Sequence, residues 1–67
     1  MDLLRLKVDP EKIGLIVGPG GKTIRALEEQ SGAEVEIEDD GNVTISSNSL
    51  ESVQRAKRMI EAITEDL

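Results

Sequence analysis

Ile13-Gly-Leu-Ile-Val-Gly-Pro-Gly-Gly-Lys-Thr-Ile-Arg-Ala-Leu27 is an aliphatic segment cut in the middle by Gly18-Pro19-Gly20-Gly21. Before the cut, Ile13, Ile16 and Val17 fall at i, i+3 and i+4, the spacing of one helical face, and Gly14 leaves a patch of that helix without a side chain. Gly18 precedes a proline, which disfavours helical backbone, and the following glycines are free to take positive φ, so the helix must stop there. Lys22 restarts a helix that runs to Ser31, with Ile24 and Leu27 three apart, Arg25 placed to pair with Glu29, and Gly32 as its stop. The pattern predicts helix, tight glycine turn, helix.

Working outward, Leu3 to Val8 alternates, with Leu4, Leu6 and Val8 on one side and Arg5 and Lys7 on the other, the period of a half-buried strand. Asp9-Pro10-Glu11 ends it and opens the first helix, Asp9 as the cap and Pro10 at the first helical position. Downstream, Glu34 to Glu38 places Val35 and Ile37 on one face and three glutamates on the other, and Val43 and Ile45 repeat the pattern. Cross-strand partners share a face, so Ile37 pairs with Val43 and Val35 with Ile45. That parity requires a three-residue loop, Asp39-Asp40-Gly41, with Gly41 left-handed. Ser49 is the expected cap of a last helix whose apolar stripe is Val53, Ala56, Ile60, Ile63 and Leu67, with Leu50 one turn earlier. The order β-α-α-β-β-α describes an α+β domain, a three-stranded antiparallel sheet with three helices packed on one face, occupying residues 1–67 as a single unit.

Composition narrows the chemistry. With no Cys and no His, thiolate metal sites, cysteine nucleophiles, disulfides and the usual general base near neutral pH are excluded, and no catalytic residue, cofactor or metal site is expected. No apolar run approaches the roughly 20 residues that cross a bilayer, and no signal-peptide pattern opens the chain, so a soluble, cytoplasmic protein without membrane contact is expected. The net charge of −6 argues against a generic electrostatic nucleic-acid binder, but the charge is unevenly placed. From Lys12 to Arg25 the only charged residues are Lys12, Lys22 and Arg25, whereas Glu28 to Asp40 holds seven acids and no base.

Two phosphate-binding motifs fail on spacing. A Walker A loop ending at Gly21-Lys22 needs glycine at Ile16, and a dinucleotide fingerprint starting at Gly18 needs glycine at Thr23. What remains is an apolar residue, Gly14, two apolar residues, a GxxG turn, a basic residue and, past the second helix, Gly32-Ala33 opening a strand. This arrangement resembles the KH family along essentially the whole chain, and the element order resembles its type I variant. Pro10-Glu11-Lys12-Ile13, Gly18 to Lys22, Ile24-Arg25, Glu36 to Gly41 and Ile60 to Ile63 look like the KH segment of polynucleotide phosphorylases.

The resemblance implies a groove for about four nucleotides of single-stranded RNA, or single-stranded DNA. Its expected residues are Gly14, Val17, Gly18, Pro19, Gly20, Gly21, Lys22, Ile24, Arg25 and Val35. The amides of Gly20, Gly21 and Lys22 would meet phosphate at a helix N-terminus, Lys22 would add a full charge, and Val17, Ile24 and Val35 would form an aliphatic floor. Lys12, Lys22 and Arg25 are the cations available there. The family further implies tethering or feeding of RNA to a catalytic body elsewhere, with a homotrimer in a parent enzyme and a monomer as the isolated domain. Three departures stand out: no basic residue inside the GxxG turn, glutamates along the second strand, and no aromatic side chain for stacking. The rival expectation is a KH fold kept for structure or protein contact, or a consensus, ancestral or engineered KH sequence, with little RNA affinity.

Overall fold

The computed structural model describes residues 1–65. The elements are β1 (Asp2–Lys7), α1 (Ile13–Val17), α2 (Lys22–Ser31), β2 (Glu34–Ile37), β3 (Asn42–Ser47) and α3 (Leu50–Thr64), with short 3₁₀ turns at Pro10–Lys12 and Pro19–Gly21 leading into α1 and α2. The sheet is antiparallel in the order β1-β3-β2. The expected fold is the observed one, in order, strand number and helix number.

The hairpin has the register that parity demanded, Val35 opposite Ile45 and Ile37 opposite Val43. Its three-residue loop closes through the Glu38 N–H donating to the Asn42 carbonyl (2.9 Å), and Gly41 takes a φ of 97°. Gly41 does more than turn the chain. Its carbonyl accepts the Val8 N–H (2.8 Å), and a Cβ at Gly41 would overlap the Val8 carbonyl oxygen. Val8 therefore leaves the β1 ladder one residue earlier than alternation suggested, yet stays in the core at 7% exposure because the hairpin tip holds it.

Rows Leu4–Ile45–Val35 and Leu6–Val43–Ile37 face the helices. They meet Ile16 of α1, Leu27 of α2 and Val53, Ala56 and Ile60 of α3 in one core, with Ile63 packed at its margin. The opposite face of the sheet carries the row Arg5–Thr44–Glu36 and has no helix over it.

At the helix ends the details diverge. Asp9 caps as expected, its Oδ1 accepting the Glu11 N–H at 3.0 Å. Ser49 occupies the cap position of α3 but its hydroxyl makes no capping bond; its own N–H is claimed by the Ser47 Oγ at 3.2 Å, which turns the chain before the helix begins. Leu50 is 55% exposed and so is not part of the stripe, and Leu67 lies outside the described residues. Arg25 and Glu29 form no ion pair; among the described residues the i, i+4 pair that closes is Arg55 with Glu51, at 3.3 Å. No helix among these residues is long and apolar enough to cross a membrane.

Candidate nucleic-acid interface

α1 ends where Gly18 adopts φ 74° and ψ 173°, a backbone region essentially restricted to glycine. A Cβ at Gly18 would also overlap the Thr23 Oγ1, so the turn is pressed against the first residues of α2. The result is a tight corner that brings α1 and α2 together, with Pro19 and Gly20 exposed at its tip and Lys22 and Arg25 exposed beside it.

The corner satisfies most of its own amides. The Gly21 N–H donates to the Gly18 carbonyl (3.1 Å) and the Lys22 N–H to the Pro19 carbonyl, both inside the 3₁₀ turn. Of the three amides expected to meet phosphate, Gly20 alone has no partner of its own among the described residues. Sequence spacing could not show this, because a continuous α-helical start from Lys22 would leave all three open.

Gly14 is different in kind from the turn glycines. It is exposed, lies inside α1 with ordinary helical backbone, and a Cβ built on it would find nothing within 4 Å. Neither backbone conformation nor packing within the domain calls for glycine here. Val17 is half-buried but is not among the residues packed into the core, whereas Ile24 is half-buried and packs against it. Val35 is 7% exposed and belongs to the core, so the floor it would supply to a base is small. Leu15, 57% exposed on α1, was not singled out from the sequence; its position off the Ile13–Ile16–Val17 stripe is the signal that could have found it.

The expected cation set shrinks. The Lys12 Nζ donates to the Thr64 carbonyl (3.0 Å) at the end of α3, where a positive charge also complements the helix dipole, so Lys12 is committed to the fold. Lys22 and Arg25 remain beside the turn. The glutamates of β2 matter less than their sequence position suggested: Val35 and Ile37 face the helices, so Glu34 and Glu36 project from the opposite, open face of the sheet.

β2 is an edge strand. Because Glu38 pairs with Asn42 through a backbone bond, alternation directs the N–H and C=O groups of Val35 and Ile37 away from β3, along the free edge. The Val35 N–H is taken by the Glu28 Oε2 of α2 at 2.9 Å, a contact that sequence reasoning missed. The structure thus places Gly14 and Val17 on α1, Gly18 to Gly21 in the turn that follows, and Lys22, Ile24 and Arg25 in the first turn of α2, and leaves Val35 in the core. No cluster of three or more acidic side chains that could hold a metal ion occurs among the described residues.

Comparison with known proteins agrees with this architecture. The sequence model of the family described as KH domain matches residues 3–62. The polyribonucleotide nucleotidyltransferase of Microcystis aeruginosa is 51% identical over 65 residues, covering 97% of this chain and 9% of that protein. The enzyme of the same name from Synechococcus elongatus is 55% identical over 62 residues, 92% of this chain and again 9% of the relative. Among solved structures, Dim2p from Pyrococcus horikoshii superposes with a TM-score of 0.91 at 21% identity, covering 100% of this chain and 43% of that one. The first KH type I domain of human vigilin gives 0.84 at 15% identity, over 94% of this chain and 70% of that one. The chain therefore spans about a tenth of the curated relatives it matches.

Proposed function

This chain belongs to the KH domain family, and from that premise we propose that it is a single-stranded RNA-binding module whose groove lies along the Gly18–Gly21 corner, α1, α2 and the free edge of β2. KH domains are binding folds without a catalytic centre, and the chain is not itself an enzyme. One observation carries the proposal: Gly14 presents bare helix surface on the helix that leads into the exposed glycine turn, with no structural reason of its own to be glycine. Such a surface suits the close approach of another backbone. Lys22, Arg25 and the Gly20 amide would hold phosphate, and Val17 with the exposed part of Ile24 would support the bases. About four nucleotides fit a groove of this family, with single-stranded DNA as the alternative ligand.

The relatives are named for nucleotidyl transfer on polyribonucleotides. In a parent chain of that kind, the domain would tether RNA or feed it to the catalytic body in RNA degradation, in the cytoplasm. Three copies in a trimer would act together through effective concentration, while the isolated domain would be a monomer. A protein-contact role draws on a different surface, the exposed acids Glu34, Glu36, Glu38, Asp39 and Asp40.

Chemical-shift perturbation with a four- to six-nucleotide single-stranded RNA tests the proposal. Shifts clustered on Gly14 to Arg25 support it. Shifts absent there, with perturbation of Glu34 to Asp40 by a protein partner only, would replace it with the protein-contact role.

A further inference from the structure

Gly21, Ile24 and Glu28 follow one another at spacings of three and four, so a single face of α2 leads from the glycine corner to Glu28 and on to the β2 edge. Glu28 is half-buried, and its Oε2 accepts the Val35 N–H at 2.9 Å while its Oε1 has no partner among the described residues. That bond fixes the carboxylate in place, because turning it away would leave the Val35 amide unsatisfied at a partly buried position. It also removes from the edge the one donor at Val35 that could have met an acceptor on a base.

Because Ile24 and Glu28 are neighbours on one face of α2, a base lying over Val17 and Ile24 would have its edge toward this seam. A carboxylate accepts hydrogen bonds and cannot donate them. The N4 amino group of cytosine and the N6 amino group of adenine can donate to it, in a bond strengthened by the charge. Uracil offers a single N3–H flanked by two carbonyl oxygens, which face the carboxylate lone pair to lone pair. With Glu34 and Glu36 directed to the other side of the sheet, Glu28 is the carboxylate that bears on this region of the groove.

We propose that Glu28 is a specificity-determining residue that makes the groove select bases carrying an exocyclic amino group over uracil. The inference rests on the RNA-binding role proposed above and deepens it.

The test compares equal-length oligomers of cytidine, uridine and 2-pyrimidinone riboside, a cytidine analogue lacking the amino group, titrated into the 67-residue domain at fixed salt. The cytidine oligomer should bind about tenfold more tightly than the uridine oligomer, the scale of one hydrogen bond to a charged group. The pyrimidinone oligomer should fall to the uridine level. Glu28→Gln should collapse the cytidine-to-uridine ratio toward one, since its carbonyl can keep the Val35 bond while its amide donates outward. Equal affinity of the parent for cytidine and uridine oligomers overturns the proposal, as does a Glu28→Gln domain that keeps the parent ratio or gains equally on both. If Glu28→Gln does not fold, the parent with the pyrimidinone oligomer decides alone. Binding of none of these oligomers, with no shifts from Gly14 to Arg25, overturns the RNA-binding role itself, and the selectivity with it.

Discussion

Gly14→Ala separates a groove residue from a structural one because stability and affinity should move in opposite directions. Gly14 has helical backbone and no atom within 4 Å of the position its Cβ would take, so alanine adds a methyl group to open space. In a helix interior, alanine is favoured over glycine by about 0.8–1 kcal/mol. α1 has only five residues, so about half of that is a fair lower bound. A gain of about 0.5–1 kcal/mol in a domain of this size raises the midpoint of thermal unfolding by roughly 2–8 °C. The same methyl stands where a strand would have to approach α1 most closely, and a tenfold loss of affinity corresponds to about 1.4 kcal/mol, well within what one steric obstruction can cost. Circular dichroism melts and fluorescence anisotropy with a labelled single-stranded RNA measure both quantities on one sample. A more stable variant with undiminished affinity would show that RNA does not pass over Gly14. A destabilised variant would mean that the bare surface has a role inside the fold, and the reasoning from it would fail.

Lys22→Ala should weaken binding to every sequence by a similar factor, because a phosphate contact positions a strand without reading it, and should leave the melting temperature almost unchanged; a loss confined to particular bases contradicts the role. Lys12→Ala should do the reverse, lowering stability by about 0.3–1 kcal/mol through the end of α3 while RNA affinity holds. With Lys22 and Arg25 as the groove cations, about two phosphates are neutralised, and log K should fall with log salt at a slope near about −1.4. A slope steeper than about −3 requires more than about four neutralised phosphates and would bring Arg55, Lys57 and Arg58 of α3 into the site beside Lys22 and Arg25. Pro19→Asp with Gly20→Asp should abolish binding by like-charge repulsion at the exposed tip. Because Gly20 sits at φ 62° and ψ 22°, a conformation that Asp tolerates better than most residues, the pair should cost stability only about 1–2 kcal/mol. A folded double variant that still binds RNA as the parent does reduces the corner to a connection between helices.

What the sequence made readable is what short-range rules govern. The limits of α2 from Lys22 to Ser31, the left-handed Gly32 after it and the pairing of Val35 with Ile45 follow from periodicity, capping and parity, all of which act within a few residues. The errors lie where a contact outside the periodic pattern decides, whether from a distant residue or from a tightened turn. Lys12 sits beside the glycine segment in sequence, yet its ammonium reaches Thr64, 52 residues away. Ser49 has the right residue type for a cap, but its hydroxyl makes no capping bond, and the chain turns into the helix with Ser47 Oγ accepting the Ser49 N–H. Gly21 and Lys22 lose their free amides to a 3₁₀ turn, because Pro19 and the turn glycines tighten the chain before the helix opens. Val35 satisfied the alternation of a strand equally well as groove floor or as core, and only the packing of Ile16, Leu27 and Val53 against the same face assigns it to the core.

Those same contacts bear on how an acidic domain could hold RNA at all. A net charge of −6 would oppose a polyanion if the acids lined the groove. Strand parity instead sends Glu34 and Glu36 through the sheet to its far side, and at physiological salt charges more than about 8 Å away are largely screened. Attraction at the proposed groove would be modest for the complementary reason: Lys12 is committed to α3, two of three turn amides are used internally, and no aromatic ring is present to stack a base. On the proposed role, a groove built on this scale would give weak, fast-exchanging binding, which would suit a strand that has to slide. Retention would then have to come from repetition. Several such grooves presented together raise the effective concentration of the next site, and linked weak sites can exceed the affinity of one by a hundredfold or more, roughly, without any new contact. A single groove optimised for tight binding would instead slow the release that a moving strand requires.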